Sequence, residues 1–184
     1  MSAIIIIIIV AVIVILALWV ISVQNKLVKA DEISKNALRQ INVQQMSRYD
    51  AIKALVKLTR EYAGYESETL TKVIEARKVT SSASPSVADI QRNEQNLSAL
   101  TTQVTAVAEQ YPQLKASETY LKTMDDIKSY EENVRLSRMT FNDTVTKFNN
   151  QVRMFPGSIV ASMLGFPAKE YLAEDASKAE YPEI

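Results

Sequence analysis

The chain of 184 residues has no cysteine and no histidine. That removes disulfides, thiol nucleophiles, zinc sites of the usual Cys/His kind and any triad that relies on imidazole. Glycine is almost absent: Gly64, Gly157 and Gly165 stand alone, so no phosphate-cradling loop can form. Neither sign of charge is in excess, since 21 Lys and Arg balance 21 Asp and Glu. Without a basic field there is no footprint for nucleic acid. No cofactor and no metal are expected. Absent cysteine is compatible with either side of a membrane and does not fix a compartment.

What the chain does have stands at its N-terminus. Residues 3–23, Ala3 to Val23, are uncharged and almost wholly apolar. A helix of that run is about 32 Å long, enough for a hydrocarbon core of roughly 30 Å. A cleavable signal would carry a basic n-region, a shorter apolar stretch and a small-residue cleavage site. Here no Lys or Arg precedes the run, and Ser22-Val-Gln-Asn25 is a poor site, so a retained anchor is the better reading. Basic residues stay on the cytoplasmic side, and Lys26, Lys29, Lys35 and Arg39 all follow the run. The expectation is a single-pass cell-membrane protein with its N-terminus outside and the rest cytoplasmic. Trp19 falls near the cytoplasmic interface.

Beyond the anchor (1–23), hydrophobic spacing predicts an all-α domain over 24–154. Leu27, Ile33, Ala37 and Ile41 line a first helix continuing out of the membrane to about Gln45. A second, from about Arg48 to Val79, carries Ile52, Leu55, Thr59, Tyr62, Glu66, Leu70, Val73 and Arg77 at steps of three and four. Thr80 to Ser86 is a break, with Ser84 as N-cap and Pro85 at the first helical position of a third helix. Val87, Ile90, Glu94, Leu97, Leu100, Val104 and Val107 mark it, and it ends at Tyr111-Pro112. A fourth spans about Ala116 to Met154, with a near-heptad seam of Val134, Phe141, Val145, Phe148, Val152 and Phe155. Short connections predict an antiparallel up-down bundle of long helices. On that pairing the second helix, folding back along the first, overshoots the membrane surface by roughly 15 Å, with Gly64 the place to bend. An apolar lid follows over 155–172, and the charged tail 173–184 reads as a disordered end or an attachment arm.

These residues resemble the successive signatures of the LemA family. The likeness lies in Arg48-Tyr-Asp50 with Ile52 and Leu55-Val56, Tyr62-Ala63, Glu66, Glu75-Ala-Arg77 and Tyr111-Pro-Gln-Leu-Lys-Ala-Ser117. It continues through Glu131, Arg138, Phe141-Asn142, Phe148-Asn149, Phe155-Pro156 and Ile159 to Phe166, in order over 24–172. Lys53 stands where the family often has proline. The resemblance implies a membrane-anchored antiparallel helical bundle with a cytoplasmic domain, and no agreed activity.

Glu66, Arg77, Glu131 and Arg138 lie on or next to the apolar faces, where lone charges are expensive. Antiparallel pairing sets Glu66 near Arg138 or Arg77 near Glu131. As general acids, the carboxylates would need a raised pKa, but an arginine partner lowers it. They read better as a charge network fixing helix register. Asn142 and Asn149, seven apart beside two phenylalanines, read as polar register markers rather than as ligand-gripping amides. Phe155, Ile159, Met163 and Phe166 of the lid either cap the bundle or touch lipid or a neighbouring subunit. The anchor lacks small-xxx-small spacing, so self-association is expected through the soluble bundle.

Three functions remain. A non-enzymatic scaffold or self-associating element at the cytoplasmic membrane face fits best, with the bilayer and further copies as partners. The alternative is a tethered binding module for a peptide, lipid or unidentified protein. A hydrolase using Glu66 or Glu131 fits least.

Overall fold

The structure, a computed structural model, describes residues 2–63 and 84–173. Within them are five helices and no strand: α1 Ser2–Ala63, α2 Val87–Glu109, α3 Pro112–Lys115, α4 Glu118–Arg153 and α5 Gly157–Leu164. The fold is all-α, as expected. Glu66, Arg77 and the rest of the expected second helix beyond Ala63 lie outside the described residues, as does the tail beyond Ala173.

The first two expected helices are one. α1 runs unbroken through 45–48, so nothing folds back at Arg48, and the overshoot reckoned from that pairing does not arise. The chain has no proline or glycine from Gln24 to Ala63, hence no breaker. Its buried positions keep phase throughout: Leu27, Ser34, Ala37, Ile41, Gln45, Arg48, Ile52, Leu55 and Thr59. Polar side chains at 34, 45 and 48 hide this stripe from a reading by apolar residues alone. Ile33, read as core, is exposed, and Ser34 beside it is buried.

Contacts divide the chain into two compact units. The first comprises residues 1–36 and 142–170, the second 37–141 and 171–184. In the second, Tyr49, Ile52, Leu55 and Val56 of α1 pack with Leu97, Leu100, Val104 and Ala108 of α2, Leu114 of α3, and Tyr120 and Ile127 of α4. Glu94 and Glu131 both reach Arg48, whereas Thr105 hydrogen-bonds Tyr120. Rising numbers on α2 meet falling numbers on α4, so these two helices are antiparallel. Burial pushes the Tyr120 phenol up, and the Thr105 bond only partly offsets that.

α2 begins two residues later than the Ser84–Pro85 pattern suggests. Ser86 is its N-cap, in a reciprocal capping box: Asp89 N–H donates to Ser86 Oγ (3.1 Å), and Ser86 N–H donates to the Asp89 carboxylate (3.0 Å). Those bonds from Ser86 hold the Asp89 carboxyl below its usual range. Ser86, with an acid three residues on to complete the box, outcompetes Ser84 as the cap.

The first unit has its own core. Leu27 of α1, Phe148 of α4 and Ala161 of α5 are buried, with Val23, Ala30, Val152 and Phe166 packed against them. The α4 seam Tyr120, Ile127, Val134, Phe141, Phe148 is buried at every seventh position. Phe155 continues the count but not the burial. α4 ends at Arg153, and Phe155 is 82% exposed.

Candidate functional site

Three arrangements carry the polar and exposed apolar residues that bear on function. In the second unit Arg48 is 2% exposed. A buried guanidinium must be paired. Its Nη1 donates to Glu94 Oε1 at 2.7 Å, and Nη2 stands 3.5 Å from Glu131 Oε2. One turn earlier, Gln45 Nε2 donates to the Ile90 carbonyl (3.0 Å) and to Glu94 Oε2 (3.2 Å). This layer joins α1, α2 and α4. Yet Gln45 Oε1, Arg48 Nε and both ends of the buried Asn93 amide meet no hydrogen-bond partner among the described residues. Glu131 thus faces Arg48, a partner other than the Arg77 expected from the sequence. Any pairing with Arg77 lies outside the described residues.

Arg138, half-buried further along α4, donates through Nη2 to the carbonyl of Ala173 in the same unit. Its pairing with Glu66 likewise lies outside the described residues.

In the first unit, Lys169 closes the C-terminal segment onto two helices. Its Nζ stands 2.7 Å from Asp31 Oδ1, donates to the Asp31 carbonyl (3.2 Å) and to Ser34 Oγ, and lies 4.8 Å above the Phe148 ring. Its backbone is held as well. Lys169 N–H donates to Asn149 Oδ1 (2.8 Å), and Asn149 Nδ2 donates to the Lys169 carbonyl (3.0 Å). Asn149 thus serves as a two-point backbone clamp for the segment following α5. Asn142 is half-buried two turns earlier, its carbonyl accepting the Thr146 hydroxyl (2.9 Å). Partial burial pushes the Asp31 carboxyl up, but the hydrogen bonds and charges of Lys169 and Lys35 outweigh it and hold the group below its ordinary value. Such a carboxylate stays ionised and cannot serve as an acid at neutral pH.

The third arrangement is apolar. Phe155, Ile159 and Met163 are exposed together with Met154 and Leu164, whereas Val160 and Ala161 on the other side of α5 are buried. Phe166 differs from its three companions. Gly165, at φ +72°, ends α5 in the left-handed conformation, and the Phe166 N–H bonds back to the Ala161 carbonyl (3.0 Å). This return brings Phe166 edge-on to Phe148, with ring centroids 6.3 Å apart. A Cβ on Gly157 would lie 2.7 Å from the Gln151 carbonyl oxygen, so the turn into α5 needs glycine.

Sequence reasoning missed Asp31, Ser34, Gln45, Arg48, Asn93, Glu94 and Lys169 as members of these arrangements. The signal for four of them was position. Ser34, Gln45 and Arg48 fall in phase with the α1 stripe, and Asn93 with that of α2. Nothing local marks Lys169.

A profile of the LemA family matches residues 37–184. The chain belongs to the LemA family. A curated relative, Protein LemA of Metamycoplasma hominis, is 24% identical over 141 residues, covering 77% of this chain and 64% of that protein. Magnetosome protein MamQ 2 of Paramagnetospirillum magneticum and Magnetosome protein MamQ of Magnetospirillum gryphiswaldense are each 29% identical over 69 residues. Those matches cover 38% of this chain and 25% of the magnetosome proteins. The chain therefore spans less than two thirds of the length of each of these relatives. The resemblance read from Arg48-Tyr-Asp50 onward is borne out, and the LemA match includes the C-terminal tail.

Proposed function

We propose that this LemA-family protein is a membrane-tethered, non-enzymatic scaffold, anchored through α1 with its N-terminus outside and its bundle at the cytoplasmic face, where it self-associates. The observation that supports this most is the continuity of α1. One helix carries both an apolar run long enough to cross a bilayer, exposed from Ala3 through Leu18, and the buried stripe of the bundle. A tether and a packing surface carried by one helix suit a device held at a membrane. The charged groups serve the same end: Arg48 pairs with Glu94 and Glu131 in one unit, and Asp31 with Lys169 in the other.

The test is the mass of the full chain purified in detergent, with chemical crosslinking in intact membranes. A homo-oligomer in both supports the scaffold, and a monomer in both contradicts it. Orientation is checked separately. A cysteine placed at Ala173 should resist an impermeant thiol reagent in intact cells and react after lysis. Labelling in intact cells would put the bundle outside.

A second reading, a tethered binding module, is favoured by the buried Asn93 amide, whose bonding capacity is unspent among the described residues. Under it, Asn93→Leu keeps the fold and loses capture of the partner. Under the scaffold reading the same substitution is neutral or stabilising, because it removes an unsatisfied buried polar group.

A further inference from the structure

α5 and the turn before it present apolar side chains outward, and the first unit places them near the end of the apolar run. Val23, the last residue of that run, packs in the same small core as Ala161 on the inner side of α5. Leu27 and Ala30, one and two turns further along α1, complete that core with Phe148 and Val152. α5 is therefore pinned beside the stretch of α1 where a bilayer-spanning helix emerges. Its outer side consists of Phe155, Met154, Ile159, Met163 and Leu164, with Phe155 and Met163 82% and 77% exposed. Left in water, such a patch is costly at roughly 25 cal/mol per Å² of apolar surface. Lys26, Lys29 and Arg153 are exposed in the same unit, cations suited to lipid phosphates.

We propose that the outer side of α5, with Phe155 and Met154, is a second membrane contact that inserts into the headgroup–acyl boundary next to the anchor. The occupant is lipid because the patch adjoins, in one packed unit, the apolar run that lipid would surround. The apolar part of the contact is supplied by a phenylalanine, two methionines, an isoleucine and a leucine, and three exposed cations lie in the same unit. Binding to zwitterionic phosphatidylcholine is therefore sufficient, and anionic lipid strengthens it only modestly. Gly157 sets the geometry, since it allows the close turn that aims α5. The inference rests on the tether reading above.

The full chain lacks cysteine, so single nitroxides can be attached without removing any native residue. Labels at Ile9→Cys, Phe155→Cys, Met163→Cys and Asp143→Cys go onto exposed positions, where substitution removes no packing. In phosphatidylcholine bilayers, collision with oxygen is compared with collision with a water-soluble nickel chelate. The expected oxygen-to-nickel ratio at 155 and 163 is several-fold above that at 143 and approaches that at 9. A ratio at 155 and 163 equal to that at 143, with a high ratio at 9, overturns the lipid contact and leaves the tether standing. A low ratio at 9 as well removes the tether and the inference together. Spectral broadening at 155 and 163 that disappears on dilution with unlabelled chain assigns the face to a second copy and also overturns the proposal.

Discussion

Arg48 is the residue on which α1, α2 and α4 converge, and its substitution separates structure from function. Removing the guanidinium strands Glu94 in a partly buried position, so Arg48→Met should cost about 2–3 kcal/mol in denaturant unfolding of the detergent-solubilised chain. The Arg48→Met/Glu94→Gln pair should recover part of that loss. No loss in the single variant would mean that the pair contributes nothing. Lys169 behaves differently, because its bonds fasten a segment rather than fill a core. Lys169→Met should leave global unfolding nearly unchanged while residues near 166–173 become protease-sensitive. The sign of its pH dependence follows from Asp31, whose folded pKa is depressed below the ordinary 3.8. Stability from that group is complete above the ordinary value and lost as pH falls through the lower, folded one. Protection of the Lys169 amide in hydrogen exchange, corrected for intrinsic rates, should hold from neutrality to about pH 4 and collapse only below it. Loosening between pH 5 and 7 would assign the fastening to other groups.

At the scale of elements, heptad burial on α4 was legible from Val134, Phe141 and Phe148, and the break before α2 was legible from its serines and proline. Phe148→Ala should cost about 3–5 kcal/mol, since the ring is buried among Leu27, Ala161 and Phe166. A loss below about 1 kcal/mol would remove it from the core. Gly157→Ala should destabilise by about 1–3 kcal/mol and shift α5, because the added methyl meets a backbone carbonyl that cannot rotate away. Both are readable by thermal unfolding. The join between the first two expected helices was not legible by the same means. An apolar pattern stops wherever a core position is polar, and Gln45 and Arg48 are such positions. Only their partners Ile90, Glu94 and Glu131, distant in sequence, make polar side chains admissible there.

For the whole molecule, composition had already narrowed the field: no cysteine, no histidine, three glycines and balanced charge leave few routes to catalysis. The apolar run, the helical periodicity and the LemA signatures likewise needed nothing beyond the order of residues: the periodicity depends on neighbours three to seven positions apart, and the run and the signatures on residue identity in sequence. Tertiary structure alone decided which polar residues lie inside, that Glu131 answers Arg48, that Lys169 bonds Asp31 across the chain, and that Phe166 turns in while Phe155 and Met163 face out. The physical reason is common to all of them. Helix spacing is a local property written into the sequence, whereas a charge or an aromatic ring finds its place only when another segment, far along the chain, supplies the surface or the counter-charge that it meets.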